Sequence, residues 1–404
     1  MLLSKSLRIR INRKAILFFL MMFVIQTPRQ ISIIESENQV VHLFLIGVEL
    51  LVYALIFLKW IIRRKLSPTL ILSILMYGTI VLSTAINNGS IFNAIRHVIG
   101  FVFMVMLIDN EADDIDTLWK ACIAYLTIMI IINFITIIMY PEGMSELRTV
   151  YTYNGVQRYG QIAWFLTGKN GLGKYILCLL FFKADIDLKQ KNRLSLGFYI
   201  IAAISYISLI QVWSAASITV VPILLLFILF AKTIVRNKFK LVNVYLLSAV
   251  IVFSFIIFVL IGNASIFSRF LTNVLKKSVT FNGRVPIWDA SILKILAKPV
   301  LGYGYISGDD YRELIGYRAA SDSHNYFLTV AIYGGIIAVI FLIVLLIKVL
   351  QSIRRIQYTN EGVLLTGFIF SFFLLMLFEN TSMKLFWLIL CYAYYLGKDR
   401  VRLE

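Results

Sequence analysis

The chain has 404 residues, and 60% of them are hydrophobic. That share lies well above the roughly 45–50% of soluble domains and excludes an ordinary soluble protein. The formal net charge of +18 does not signal nucleic-acid binding, because the cations fall mainly in short clusters between apolar runs. Cys122, Cys178 and Cys391 all lie within apolar runs, which excludes a disulfide framework or a metal-type spacing.

Apolar runs near 20 residues recur along the chain, each long enough to cross a bilayer as a helix. Twelve spans are expected, at 15–34, 40–62, 68–86, 91–108, 118–139, 161–182, 194–212, 214–231, 241–261, 324–347, 363–379 and 384–397. The basic start (Lys5, Arg8, Arg10, Arg13, Lys14) leads into the first without a small-x-small cleavage site and reads as a retained span. Its apolar part ends near Ile25, before Pro28 and Arg29. The fold class expected is all-α, a single polytopic transmembrane domain over 1–404, with no internal repeat and no separate soluble domain.

Positive charge orients the spans. With the N-terminus in the cytoplasm, the inner segments hold 23 of the 39 lysines and arginines, in clusters such as Lys59, Arg63, Arg64 and Lys65 or Lys232, Arg236, Lys238 and Lys240. Both termini are therefore expected inside, with anionic membrane lipids as the partners of these clusters. The acidic 109–117 connection breaks the trend. The segment 262–323 then faces out, before the tenth span. It carries eight cations (Arg269, Lys276, Lys277, Arg284, Lys294, Lys298, Arg312, Arg318) against five acids (Asp289, Asp309, Asp310, Glu313, Asp322). A basic outer segment suits an anionic partner such as a phosphate-bearing lipid. The next largest outer segment, 140–160, carries Arg148 and Arg158.

Charges within spans point to function or to internal ion pairs. They occur at Arg96 and His97 in the fourth span and at Lys169 and Lys174 in the sixth. Thr167-Gly-Lys-Asn-Gly-Leu-Gly-Lys174 places three glycines and two lysines where a helix would run. A broken helix lining a polar cavity is expected there, its free N–H groups binding an anion with help from Lys169. The glycine spacing does not fit a phosphate-binding P-loop. His42 and His97 read as packing or interfacial residues. His324, at the start of the tenth span, reads either as part of a Ser321-Asp-Ser-His cap or as a proton-transfer group. Asp309-Asp310 reads as a solvated turn, and neither a metal nor a cofactor is expected.

Read together, Phe281-Asn-Gly283-Arg284-Val-Pro-Ile-Trp288, Lys298-Pro-Val-Leu-Gly302-Tyr-Gly304, Ser323-His324-Asn325-Tyr326 and Gly334-Gly335 form an ordered set. The set resembles the superfamily of O-antigen ligases and Wzy-type polysaccharide repeat-unit polymerases. There a long outer loop late in the chain carries a Gly-Arg…Trp element, a Pro…Gly-x-Gly element and a terminal His-Asn. Lys169-Asn170-Gly-Leu-Gly is similar to a mid-chain element of that superfamily. One departure is Ala215 in Trp213-Ser-Ala215-Ala-Ser217, where many relatives carry an arginine; phosphate binding would then pass to Arg158 or Lys169.

The resemblance implies a GT-C-like glycosyltransferase of the bacterial cytoplasmic membrane, acting on an undecaprenyl-diphosphate-linked oligosaccharide at its outer face. It implies Arg284 on the departing diphosphate, helped by Arg158 or Arg318, and His324 near the attacking hydroxyl, held by Asn325 or Asp322. Gly302 and Gly304 would shape turns and Trp288 would sit in the interface belt. A chain-length regulator and a flippase are the protein partners implied. Three readings stay open: a polymerase, a ligase onto lipid A core or another carrier, and a lipid-linked sugar transporter. A transporter should show related halves, which the single large outer loop does not favour.

The topology is directly testable. An alkaline phosphatase reporter, active only outside the cytoplasm, should be active when inserted within 262–323 and silent after Arg193 or Lys240. Activity at the two basic connections would invert the orientation.

Overall fold

A computed structural model of the chain describes residues 13–144, 151–153, 156–158, 162–261, 284–317, 320–380 and 383–401. The order is α1 (Arg13–Ile25), α2 (Arg29–Glu37), α3 (Gln39–Arg63), α4 (Pro68–Ile86), α5 (Ile91–Glu111), α6 (Ile115–Met139) and then a two-stranded antiparallel hairpin, β1 (Tyr151–Tyr153) and β2 (Val156–Arg158). There follow α7 (Leu172–Lys191), entered by a 3-10 turn at Lys169–Gly171, α8 (Leu196–Val212), α9 (Ala215–Asn237) and α10 (Val244–Phe255), which runs on as a π-helix to Leu260. Within the expected outer segment lie α11 (Arg284–Ala297) and α12 (Gly308–Ile315). The chain continues through α13 (Tyr326–Arg355), α14 (Asn360–Phe378) and α15 (Lys384–Val401). The all-helical expectation holds apart from the hairpin. Packing centres on α13, which lies along α4 and α15, and on α14, which lies along α9 and α7.

Among the described residues, six helical segments are long and apolar enough to cross a membrane, or seven if α1 and α2 count as one bent span. One of the six, Ile91–Met139, contains both α5 and α6. They run in opposite senses. Arg96, early in α5, pairs with Glu35, whereas Glu111 at its far end pairs with Lys14 at the start of α1. Asp114, beside that same lysine, precedes α6.

Two expected spans differ in detail. The first is bent by 63° between α1 and α2. Pro28 disfavours helix at Thr27 and cannot donate to the ladder. The free donors of α2 find partners in another break: Arg29 N–H donates to Leu166 O (3.0 Å) and Gln30 N–H to Phe165 O (3.1 Å). The sixth span is not a helix broken midway. Its helix starts only at Leu172, after an irregular stretch held by Leu166 N–H on Asn133 Oδ1 (2.8 Å) and Trp164 Nε1–H on Tyr140 O (2.8 Å). Glycine and asparagine prefer turns to helix, so the start moves past them. At its other end α7 continues through charged residues as far as Lys191, because Lys183–Asp187 and Lys189–Asp185 pair one turn apart, each at 2.6 Å.

The acidic exception in the charge pattern has a structural explanation. Glu111 pairs with Lys14 and Lys59, Asp113 with Arg63 and Lys65, and Asp114 with Lys14. The acids thus complement the cations of two neighbouring segments at one end of the bundle.

The Gly-Gly and Gly-x-Gly elements serve one another. At Gly335 (φ 60°, ψ −162°) α13 kinks and frees its backbone groups. The 299–304 loop takes them up: Ile336 N–H donates to Pro299 O (2.8 Å), Tyr303 N–H to Ile332 O (2.7 Å) and Gly304 N–H to Tyr333 O (2.9 Å). A Cβ at Gly335 would stand 2.3 Å from Val300 O, and one at Gly304 would stand 2.4 Å from the Thr84 Cα. Gly335→Ala should therefore cost about 2 kcal/mol or more and lower the thermal midpoint in detergent. Gly47→Ala, in the interior of α3 with no atom within 4 Å of the new methyl, should hold the midpoint or raise it slightly. Equal midpoints for the two would remove the kink from this account.

Candidate active site

A polar cavity of about 170 Å3 opens at the start of α7, opposite the end that carries Lys189. Its walls come from Arg29, the Thr167–Gly168 and Asn170–Gly171 turns, Lys174, Asp322, His324, Glu379 and Asn380. Four separate stretches of chain therefore meet in it. The α7 N-terminus presents the positive end of its dipole there, and Gly171 at its N-cap has no side chain to cap the first N–H groups. Lys174 lies in the first turn, and its charge interacts with Glu379 and Asp322. About 22 Å separates Lys174 from Lys189 along the helix, so the cavity and the basic end lie at opposite ends of the bundle.

His324 is held in a strained backbone state. It is the residue before the N-cap of α13 and has φ 49°, a conformation that disfavours a side chain. Asp322 Oδ1 accepts its backbone N–H at 2.6 Å and stands 3.5 Å from Nδ1 of the ring. The carboxylate therefore stands on the Nδ1 side of the ring. Asn325 is fully buried. Its Oδ1 caps α13 by accepting Leu328 N–H (3.1 Å), and its Nδ2 donates to Leu377 O (2.9 Å). The amide is thus used within the protein and fixes the base on which His324 stands. Of the two holders expected for the histidine ring, Asp322 is the one beside it. The next hydroxyls continue the support, with Ser323 Oγ donating to Asn325 O at 2.6 Å.

Arg284 begins α11 and pairs with Glu379, the residue that ends α14. Arg284 does not itself line the cavity but reaches its edge through that carboxylate. The Glu379 carboxylate is buried and is offset by the Arg284 guanidinium paired with it. Among the described residues the centre combines Arg29, Lys174, Arg284 and His324 with the acids Asp322 and Glu379.

The remaining expected site residues fare differently. Lys169 sits in the turn before α7 without lining the cavity, where Lys174 stands instead. Arg158 is in β2, and its side chain lies outside the described residues, as does Arg318. Ala215 opens α9, and a Cβ at Gly173 would stand 2.2 Å from Ser217 Oγ, so this element packs directly on the first turn of α7. Trp288 is not in an interface belt. It is fully buried against Val259 and Leu328, where α11 docks on the bundle. Sequence reasoning missed Glu379 and Arg29. The signal was present for Glu379, the only acid between Glu361 and Asp399 and set at the end of an apolar run.

Several apolar helices of membrane-crossing length, with a polar cavity at one end of their bundle, define the class of multi-pass membrane proteins. Within that class, residues 194–343 match the family model Wzy_C, described as O-antigen ligase, which bears out the resemblance to the O-antigen ligase and Wzy superfamily. The matched stretch includes Arg284 and His324, while Lys174 and Glu379 lie outside it. No curated protein matches the sequence.

Two substitutions separate the strained histidine from the residue that supports it. His324→Gly relieves the left-handed strain and should hold or raise thermal stability, by up to about 1 kcal/mol, while activity is lost. Asn325→Ala removes a cap and leaves a buried carbonyl without its donor, which should destabilise by about 1–3 kcal/mol. Thermal melts of the two variants in detergent, showing the reverse order, would contradict these assignments.

Proposed function

We propose that the chain is a polysaccharide polymerase. In this reading it joins undecaprenyl-diphosphate-linked oligosaccharide repeat units into O-antigen, capsule or exopolysaccharide. It works at the outer face of the bacterial cytoplasmic membrane, in a twelve-span GT-C-like architecture with both termini inside. Chain-length regulator and flippase proteins are its expected partners. The observation that carries the reading is the meeting of His324 and Asp322 with Lys174 and the Arg284–Glu379 pair around one cavity, at the end of the bundle opposite the cation clusters. The match to the O-antigen ligase family model supports it.

The chemistry follows from these groups. A sugar hydroxyl of the acceptor attacks the anomeric carbon of the donor, and the new C–O bond forms as the bond to the diphosphate breaks. The hydroxyl proton passes to His324 Nε2, while Asp322 stabilises the resulting imidazolium. The bonding electrons leave with the diphosphate, whose growing charge is met by Lys174, Arg29, the α7 N-terminus and Arg284. Glu379 orients the Arg284 guanidinium, and Asn325 positions the histidine. In this reading Arg158 and Arg318 are further phosphate-binding residues, and Lys169 acts from the turn before α7, outside the cavity wall. The long apolar helices outside the cavity hold the isoprenoid tail.

A second reading, a ligase that moves finished glycan to lipid A core or another acceptor, is favoured by the description of the matched family. Ala215 weighs against it.

Cells lacking the gene, complemented at matched membrane levels, distinguish these readings. His324→Ala should lower polymer formation by roughly 10²–10⁴-fold. Arg284→Lys should also fail, because an ammonium cannot reproduce the forked geometry of guanidinium. A polymerase leaves single repeat units without a ladder; a ligase leaves long polymer on the isoprenoid carrier. A normal ladder from both variants would overturn the site.

A further inference from the structure

A second polar cavity, of about 290 Å3, lies beside the first and has no part in the chemistry above. Gln26, Thr27, Glu35, Glu49, Arg96 and Lys384 contribute to its walls. Its charged groups are part-buried apart from Arg96. Glu49 is ten residues into α3, about 15 Å from the start of that helix. Arg96 pairs with Glu35 at 3.1 Å, and Lys384 Nζ donates to Ile25 O at 3.1 Å and lies 3.7 Å from Glu49. The fold makes room for this arrangement: a Cβ at Gly100 of α5 would stand 2.5 Å from Lys384 Cε.

Helix packing does not require these four ions. Apolar side chains fill such an interface at least as well, and ions at membrane depth are retained where they face a polar pathway or ligand. They are not sealed against one another either, since the Arg96 side chain is 47% exposed. Two acids stand with two cations here, and amide, hydroxyl, carboxylate and guanidinium groups together offer both donors and acceptors. That mixture suits hydroxyl-rich rings. The position fits as well. Thr27 lines this cavity and Arg29 the first, and two residues of chain reach at most about 7 Å.

We propose that the cavity of Glu35, Glu49, Arg96 and Lys384 is a glycan subsite, holding sugar rings of the lipid-linked substrate next to the diphosphate cavity. The proposal rests on the function proposed above. The site reads sugars through hydroxyl contacts, and the first cavity holds the carrier.

The test uses the full chain in nanodiscs and two probes: undecaprenyl diphosphate, and the glycolipid accumulated by cells lacking the gene. Wild type should bind the glycolipid at least about tenfold more tightly than the bare carrier. Arg96→Ala and the isosteric Glu49→Gln should each remove most of that advantage and leave carrier binding within about twofold. Gly100→Ala, which displaces Lys384, should do the same. Variants that bind both probes as wild type does, or that lose both together, would overturn the subsite, as would a wild type indifferent to the glycan. Lys174→Ala separates the underlying reading. It should weaken both probes, and unchanged carrier binding in that variant would remove the first cavity from diphosphate recognition whatever the glycan result.

Discussion

Backbone that leaves the helix inside a membrane protein must find its hydrogen bonds within the protein, because lipid offers none. Three breaks in this chain meet that constraint by bonding to other parts of the fold. The α1–α2 break donates to the irregular stretch before α7. That stretch is held in turn by Asn133 and Trp164. The kink at Gly335 is completed by the 299–304 loop. The two polar cavities at this end of the bundle flank the first two breaks. Helix ends and turns can aim N–H groups and short polar side chains into a cavity, which continuous helices cannot.

Electrostatics divides the bundle along its length. At the basic end, acids of the α5–α6 connection and of α7 pair with nearby lysines and arginines, and these groups stabilise and anchor. At the other end Arg29 and Lys174 share the first cavity with Asp322, Glu379 and His324, and the buried Glu379 pairs with Arg284. His324 adds a strained backbone, a local cost that persists only where the surrounding structure fixes it.

Much of this was legible in the sequence, for identifiable reasons. Long apolar runs state the helical membrane class, and the paired glycines at 334–335 and 302–304 stand out because few other residues fit positive φ or close approach. His324 and Arg284 emerged from an ordered set of motifs. Other features depend on tertiary contact and leave little local trace. Lys174 and Lys169 are equivalent in the sequence, and only the late start of α7 sets which one faces the cavity. Glu379 became part of the site when α11 brought Arg284 to it. Trp288 reads locally as an interfacial aromatic, but α11 docks and buries it. The acidic connection at 109–117 contradicted the charge rule until its partners, far away in sequence, were in place.

The most direct measurement is an electron cryo-microscopy structure of the full chain in nanodiscs with undecaprenyl diphosphate bound. The diphosphate should lie within hydrogen-bond reach of Lys174 and Arg29 at the α7 N-terminus, with His324 beside it. A diphosphate held instead at the opposite end, beside Lys65 and Lys398, would contradict the assignment of this cavity as the site of transfer.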